Sequence, residues 1–153
     1  MREILFRGKQ TDCEAWVEGD LIQAFRGNQL SSCSIMPNTP TAYCWKVDPE
    51  TVGQYTGLTD KNGVKIFEGD IVTGYFNHEK IVGYIFYGGN AQFFIQRDGI
   101  YGIELDNSDC WLEVIGNIHD NPELLETAAK PADKNIAQST LAPAAENFEL
   151  MEG

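Results

Sequence analysis

The chain is short of positive charge. It has 11 Lys and Arg residues against 23 Asp and Glu residues, so its formal net charge is -12 over 153 residues. Nucleic-acid binding depends mainly on basic side chains that neutralise phosphates. The shortage therefore argues against that class, and we expect no direct nucleic-acid binding.

Long apolar runs are also absent. No segment approaches the roughly 18 apolar residues of a membrane-spanning helix, and charges at Arg2, Glu3 and Arg7 interrupt the region where a signal peptide needs an apolar core. We expect a soluble cytoplasmic protein without a membrane partner.

The usual motifs of metal and covalent chemistry are missing. No Cys-x-x-Cys pair occurs, and both histidines are distant in sequence from the cysteines: Cys13, Cys33, Cys44, Cys110, His78 and His119. Structural zinc ligands typically come in closely spaced pairs. No Gly-x-Ser-x-Gly elbow or glycine-rich phosphate loop is present either. We predict reduced thiols, no metal, no cofactor and no catalytic residue.

Glycine, in contrast, is abundant, with 15 residues. Its frequency in the first two-thirds of the chain disfavours long helices and favours short strands. Asn62-Gly63 predicts a hairpin with a type I′ turn, and residues 81–87 and 91–96 predict a second hairpin. Residues 26–40 are rich in Asn, Ser, Gly and Pro, which predicts an irregular loop.

Seven aromatic residues accompany these hairpins. They favour either core packing or a stacking platform for single-stranded nucleic acid, and the shortage of Lys and Arg favours the core. The residues are Tyr75, Phe76, Tyr84, Phe86, Tyr87, Phe93 and Phe94.

One motif occurs twice. Each copy has an apolar residue, Glu-Gly-Asp and two aliphatic residues, at positions 17–22 and 67–72. Glycine and aspartate suit tight turns, so we interpret the copies as structural turns that lead into strands. The alternative is an acid/base pair or a hard-cation site built from their carboxylates. The residues are Glu18, Gly19, Asp20, Glu68, Gly69 and Asp70.

A short helix is predicted after the last strand, beginning near residue 121. Asn121 stands at the helix-cap position and Pro122 at the first helical position. From residue 127 the composition changes to Ala, Lys, Pro, Asn and Ser, which predicts a tail over 127–153 that is mobile or docked on a partner.

Together these patterns predict a mainly β fold. Turn residues recur every eight to twelve positions, a spacing typical of sandwiches and small barrels. We expect one domain over residues 1–126. Its core, about residues 51–118, would be an SH3-like small barrel built from hairpins, with additional N-terminal strands and one short C-terminal helix.

Three segments carry a family resemblance. They resemble motifs of the YopX family of phage and prophage proteins. The opening motif corresponds to Phe6-Arg7-Gly8-Lys9 with Trp16-Val17-Glu18-Gly19, the central motif to residues 51–72, and the closing motif to residues 114–125. Residues 26–47 and the tail over 127–153 lie outside the strong parts of the match. The resemblance implies a mainly β protein in the cytoplasm of a bacterial host cell, with no established activity and no catalytic residues to carry over.

Three functional hypotheses follow. The first is a non-enzymatic phage or prophage accessory protein that binds a host or phage protein, or itself as a homo-oligomer, through sheet edges and exposed aromatics. The second is an acidic decoy that occupies the nucleic-acid site of a host enzyme. The third is a small-ligand enzyme that uses the Glu-Gly-Asp carboxylates.

Overall fold

We describe the chain from a computed structural model, which covers residues 1–39, 43–97, 100–105 and 111–126. The strands are β1 (Phe6–Lys9), β2 (Trp16–Arg26), β3 (Gln29–Met36), β4 (Trp45–Lys46), β5 (Gly53–Thr59), β6 (Lys65–Phe67), β7 (Asp70–Phe76), β8 (Glu79–Gly88), β9 (Gln92–Arg97), β10 (Ile100–Glu104) and β11 (Glu113–Asn117). A 3-10 helix at Pro49–Thr51 precedes β5, and residues 123–126 form a short helix.

The strands form two antiparallel sheets. A six-stranded sheet has the order β4-β3-β2-β1-β5-β6, and a five-stranded sheet has the order β10-β9-β8-β7-β11. The predicted mainly β class with one short helix is thus confirmed. The pairings of the described strands do not close into a barrel, so the SH3-like barrel stays a prediction. The tail over 127–153 and Cys110 lie outside the described residues.

Each sheet has its own apolar core. In the six-stranded sheet, Val17, Cys33, Ile35 and Val47 are buried together. The core of the five-stranded sheet consists of Ile66, Val72, Ile81, Ile85, Ile95 and Leu112. Because Ile66 belongs to β6, the six-stranded sheet contributes one residue to this core. Within the described part of the chain, no helix has the length and apolar character that a membrane crossing requires.

The first Glu-Gly-Asp copy does not form the predicted turn. Glu18, Gly19 and Asp20 lie inside the continuous strand β2. A Cβ atom at Gly19 would overlap the carbonyl oxygen of Met36 and lie 2.8 Å from the Cα atom of Pro37. Glycine is needed here because another backbone passes close by, which is a different use of glycine from a turn.

The second copy does form a turn. Residues 68 and 69 connect β6 to β7, and Gly69 has a φ of +94°, a conformation that glycine adopts without steric cost. Asp70 then begins β7. Two nearly identical motifs therefore have different backbone conformations, set by what packs against each.

The predicted irregular loop over 26–40 is wrong for most of its length. Gln29–Met36 is the strand β3. It pairs with β2, with Asp20 opposite Met36 at one end and Arg26 opposite Gln29 at the other. Gly27 has a φ of +60° in the two-residue connection, as the first position of a type II′ turn requires. Polar residues lower the strand propensity of β3, but pairing along β2 overrides that preference.

The hairpin at Asn62-Gly63 exists, but its turn differs from the predicted type I′. A type I′ turn needs positive φ at both central residues, whereas Gly63 has a φ of +81° and Asn62 does not have a positive φ. The Gly63 amide donates to the Asp60 carbonyl oxygen at 3.0 Å. β5 and β6 are antiparallel on either side of this turn.

Candidate functional site

β1 and β2 place four polar or aromatic side chains on one face. Their register sets Arg7 opposite Glu18 and Lys9 opposite Trp16. Side chains of directly paired residues lie on the same face of a sheet, and successive residues alternate between faces. This face is therefore opposite the one on which Val17 is buried.

A buried ion pair links this face to the other sheet. Arg7 Nη2 lies 2.6 Å from Asp70 Oδ1, and the Asp70 side chain is 2% exposed. The guanidinium lies 4.9 Å from the ring centroid of Trp16 and 4.8 Å from that of Phe67. Burial raises the pKa of the Asp70 carboxyl, while the charge of Arg7 and a hydrogen bond from the Phe67 amide oppose the rise. The ionised form of Asp70 therefore depends on Arg7.

A second ion pair lies beside the first. Lys9 Nζ is 2.5 Å from Asp120 Oδ1, and Trp16 Nε1 donates to Asp120 Oδ2 at 2.7 Å. These hydrogen bonds, that of Lys9 foremost, lower the pKa of Asp120 to about 2. The carboxylate therefore stays ionised well below neutral pH.

His119 packs against Trp16, close to the cations of both pairs. Its ring centroid is 5.8 Å from that of Trp16. Burial, followed by the charges of Arg7 and Lys9, lowers the pKa of His119 from its ordinary value, which favours the neutral imidazole. We call Arg7, Lys9, Trp16, Asp70, His119 and Asp120 the polar cluster.

The polar cluster unites the three motifs found in the sequence. The opening motif supplies Arg7, Lys9 and Trp16, the central motif supplies Asp70, and the closing motif supplies His119 and Asp120. Within the cluster, both cations of β1 pair with an acid of another motif. Its evident role is to join the segments on which the fold depends.

The four carboxylates of the repeated motif occupy unlike environments. Glu18 and Asp20 are exposed on β2, Glu68 is half-buried, and Asp70 is buried. Glu68 Oε1 accepts from the Gln54 amide at 3.4 Å. Asp70 is held by Arg7 and the Phe67 amide. The hypothesis that these carboxylates perform a reaction stays a prediction.

Asp60 is a structural residue that the sequence interpretation missed. Its carboxylate accepts from the amides of Asn62, Val64 and Val114 at 2.8 to 2.9 Å. Burial raises its pKa, but these three hydrogen bonds outweigh burial, and the pKa is lowered overall. The position of Asp60 before Asn62-Gly63 is typical of an Asx turn, whereas the bond to Val114 depends on the tertiary fold.

The helix-cap residues lie where the chain leaves β11. The Leu124 amide donates to the carbonyl oxygen of Asn121 at 3.1 Å, and the Leu125 amide donates to that of Pro122 at 3.2 Å. The Asn121 side-chain oxygen accepts from the Asn117 amide at 3.2 Å. Its side chain thus stabilises the turn before the helix.

The distal parts of β2 and β3 form a two-stranded arm, which we define as residues 20–32. β1 pairs with β2 only as far as Gly19. All residues from Ile22 to Arg26 are exposed, so both faces of β2 are open there, and the exposed fraction is 41% for Ile22 and 56% for Phe25. Between Asp20 and Lys46, Arg26 is the only charged residue.

Several aromatic residues predicted for the core are exposed instead. Tyr75 is 67% exposed and Tyr87 is 51% exposed. On β8 the buried positions are Ile81, Gly83 and Ile85, so alternation places Tyr84 and Phe86 on the opposite face, whereas Tyr87 shares the face of Ile85 near the end of the strand. The prediction of core packing is therefore wrong for both tyrosines: Tyr75 lies on the face of β7 opposite the core residue Val72, and Tyr87 lies beyond Ile85 at the end of β8.

In the described residues, no group of three or more His, Cys, Asp and Glu side chains is placed to hold a metal ion. Cys13, Cys33 and Cys44 are free thiols.

Comparisons with known proteins agree with the sequence motifs. Residues 5–126 match the family described as YopX protein. The chain is similar to the crystal structure of protein EF1440 from Enterococcus faecalis, with a TM-score of 0.53 and 27% sequence identity; the match covers 82% of this chain and 99% of that chain. No curated protein matches the chain.

Proposed function

Because the chain belongs to the YopX family, we propose that it is a phage or prophage accessory protein that acts in the bacterial cytoplasm by binding protein, without catalysing a reaction. The binding surface is the arm, and the partner is another protein or a second copy of the chain.

The exposure of the arm carries this proposal. Leu21 and Leu30 of the arm pack against the core of the six-stranded sheet, and beyond such contacts a two-stranded ribbon gains little stability in water. Ile22 and Phe25 are nevertheless exposed on opposite faces of β2, so the arm presents apolar side chains on both sides. Exposed apolar surface of this kind is typical of protein-binding sites.

The strand edges of the arm support the same function. The outer edge of β2 beyond Gly19 has no paired strand among the described residues. Unpaired edges offer backbone donors and acceptors to another strand, and side chains on each face then determine which strand is accepted.

The test compares two variants in the host bacterium. Phe25→Lys and Val64→Lys each replace an exposed apolar residue by lysine, but Val64 lies in the β5–β6 connection, away from the arm. Tagged full-length chains are isolated during infection, and co-purifying proteins are identified by mass spectrometry. Self-association is measured separately by sedimentation of each purified variant.

We expect the unchanged chain and Val64→Lys to retain the same partner or the same self-association, and Phe25→Lys to lose it by at least about tenfold in affinity. Any captured protein is purified and titrated against the three chains. Equal binding by all three would contradict the proposal, as would a chain that neither captures a protein nor associates with itself.

A further inference from the structure

We propose that the free edge of β2 pairs with the same edge of a second copy of this chain, in an antiparallel register centred on Gln23. This inference rests on the proposed function, because it names the partner of the arm.

The edge is long enough and open enough for such pairing. From Asp20 to Arg26, β2 pairs on one side with β3, and no described residue pairs with its other side. Seven residues exceed the length of an average strand. An interface between identical edges is isologous, so it closes as a two-fold dimer and does not grow into a fibre.

The sequence of this edge is complementary to itself. In a two-fold antiparallel pairing centred on Gln23, Gln23 of one copy faces Gln23 of the other. Residues equally far before and after Gln23 then face one another across the two copies. Leu21 then faces Phe25 of the other copy, and Ile22 faces Ala24. Within each pair the two apolar side chains share a face, and the two pairs lie on opposite faces of the sheet. Cross-strand contacts of this kind stabilise sheets.

The charges at the two ends of the edge match as well. The same register places Asp20 opposite Arg26 of the other copy, and two-fold symmetry makes this contact twice. Both residues are exposed, and neither has an ion-pair partner among the described residues. The only two charged residues of the edge therefore have opposite signs and equal distances from its centre.

Charge also favours this surface over the rest of the molecule. Two copies with a net charge of -12 repel one another. Arg26 is the only charged residue between Asp20 and Lys46. Because this segment has no acidic residue, two copies can approach there with the least repulsion.

Charge reversal tests the register directly. Asp20→Lys leaves two positive ends and Arg26→Glu leaves two negative ends, so each variant faces like charges twice when it pairs with itself. We expect the dissociation constant of each homodimer to rise roughly ten- to thirty-fold in analytical ultracentrifugation. An equimolar mixture of the two variants restores both opposite-charge contacts, and we expect it to form a heterodimer with about wild-type affinity.

The double variant with Asp20→Lys and Arg26→Glu should also dimerise like the unchanged chain, because it only exchanges the two signs. Glu79→Lys and Lys80→Glu are matched controls: they change the net charge equally, but lie in the exposed β7–β8 hairpin. We expect their dimers to be unchanged. Far-ultraviolet circular dichroism of each variant confirms that it is folded.

Two results would overturn this register: a wild-type chain that stays monomeric at millimolar concentration, or a mixture that associates no better than its components. If the monomeric chain still captured another protein through Phe25, self-pairing would be excluded and the proposed function supported. A monomer without arm-dependent capture would overturn both.

Discussion

At the scale of single residues, the Arg7–Asp70 pair shows how burial makes one charge depend on another. The Asp70 side chain is 2% exposed and that of Arg7 is 13% exposed, so water solvates neither charge well. Removing one partner from a buried pair leaves an uncompensated charge, which costs far more than the pair itself contributes.

Arg7→Met should therefore lower the free energy of unfolding at pH 7 by about 3–5 kcal/mol. The folded-state pKa of Asp70 is raised, and without Arg7 it rises further. Protonation of Asp70 then favours the folded variant, so its deficit should shrink as pH falls toward about 5. Urea denaturation of both proteins at the two pH values measures this.

Lys65→Met is the matched control for Arg7→Met. It breaks the ion pair with Glu3, in which the two side chains are 39% and 54% exposed. An exposed pair contributes at most about 1 kcal/mol, so the control should lose little stability. Equal losses in the two variants would contradict the role assigned to burial at Asp70.

The lowered pKa of Asp120 makes the protein less stable as pH falls, which is opposite to the effect of the raised pKa of Asp70. The pKa of Asp120 is about 2 in the folded protein against 3.8 ordinarily, so between these values the unfolded chain binds more protons. Its contribution is complete above the ordinary value and is lost as pH falls toward about 2. Since the side chain is 35% exposed, we expect about 1 kcal/mol after solvent screening.

Thermal denaturation of Asp120→Asn between about pH 2 and pH 5 tests this prediction. The variant should lack that part of the acid-induced loss of stability, whereas Asp12→Asn, at an exposed turn carboxyl, should follow the unchanged protein. Parallel curves for all three proteins would refute the contribution of Asp120.

At the scale of secondary-structure elements, the two Glu-Gly-Asp copies show that one motif can have two conformations. Gly69 has a φ of +94° in the turn before β7, whereas Gly19 lies within β2 and needs no unusual φ. Turn geometry requires glycine at position 69. Close approach of β2 to the end of β3 requires it at position 19.

Gly19→Ala should lower the free energy of unfolding by about 2–3 kcal/mol, because the added methyl group must displace the backbone at Met36. Gly89→Ala, where a Cβ atom meets nothing within 4 Å, is the control and should change stability by less than about 0.5 kcal/mol. Chemical denaturation measures both. A Gly19 variant as stable as the control would disprove the close approach.

At the scale of the whole molecule, side-chain bonds make the two sheets interdependent. Arg7 on β1 pairs with Asp70 on β7, and Asp60 after β5 accepts from the Val114 amide of β11 at 2.9 Å. Ile66 of β6 packs in the core of the five-stranded sheet. We therefore expect the sheets to unfold together in one transition.

Asp60→Ala tests this coupling. The variant leaves three amides without their acceptor, so unfolding should become easier by about 2–4 kcal/mol. Denaturation curves from circular dichroism and tryptophan fluorescence should shift equally. Asp48→Ala removes an acceptor from one exposed amide and should cost only about 1 kcal/mol. Separate transitions in the two measurements would show that the sheets unfold independently.

Local patterns predicted the fold class but failed where distant segments meet. The mainly β class and the hairpin at Asn62-Gly63 follow from glycine, aromatic and β-branched residues, whose preferences act over a few positions. The strand β3 was missed because its serines are typical of loops, and pairing with β2 is a long-range effect. The polar cluster was missed because no rule of spacing relates Arg7 to Asp70 or Trp16 to Asp120.

The sequence by itself determined the family, the mainly β class and the net charge. These properties depend on composition and on short motifs. Only the tertiary structure decided that Gly19 lies in a strand, that Asp70 is buried against Arg7, and that Ile22 and Phe25 are left exposed on an arm. Burial depends on which segments meet in space, and the packing of the whole chain sets those contacts.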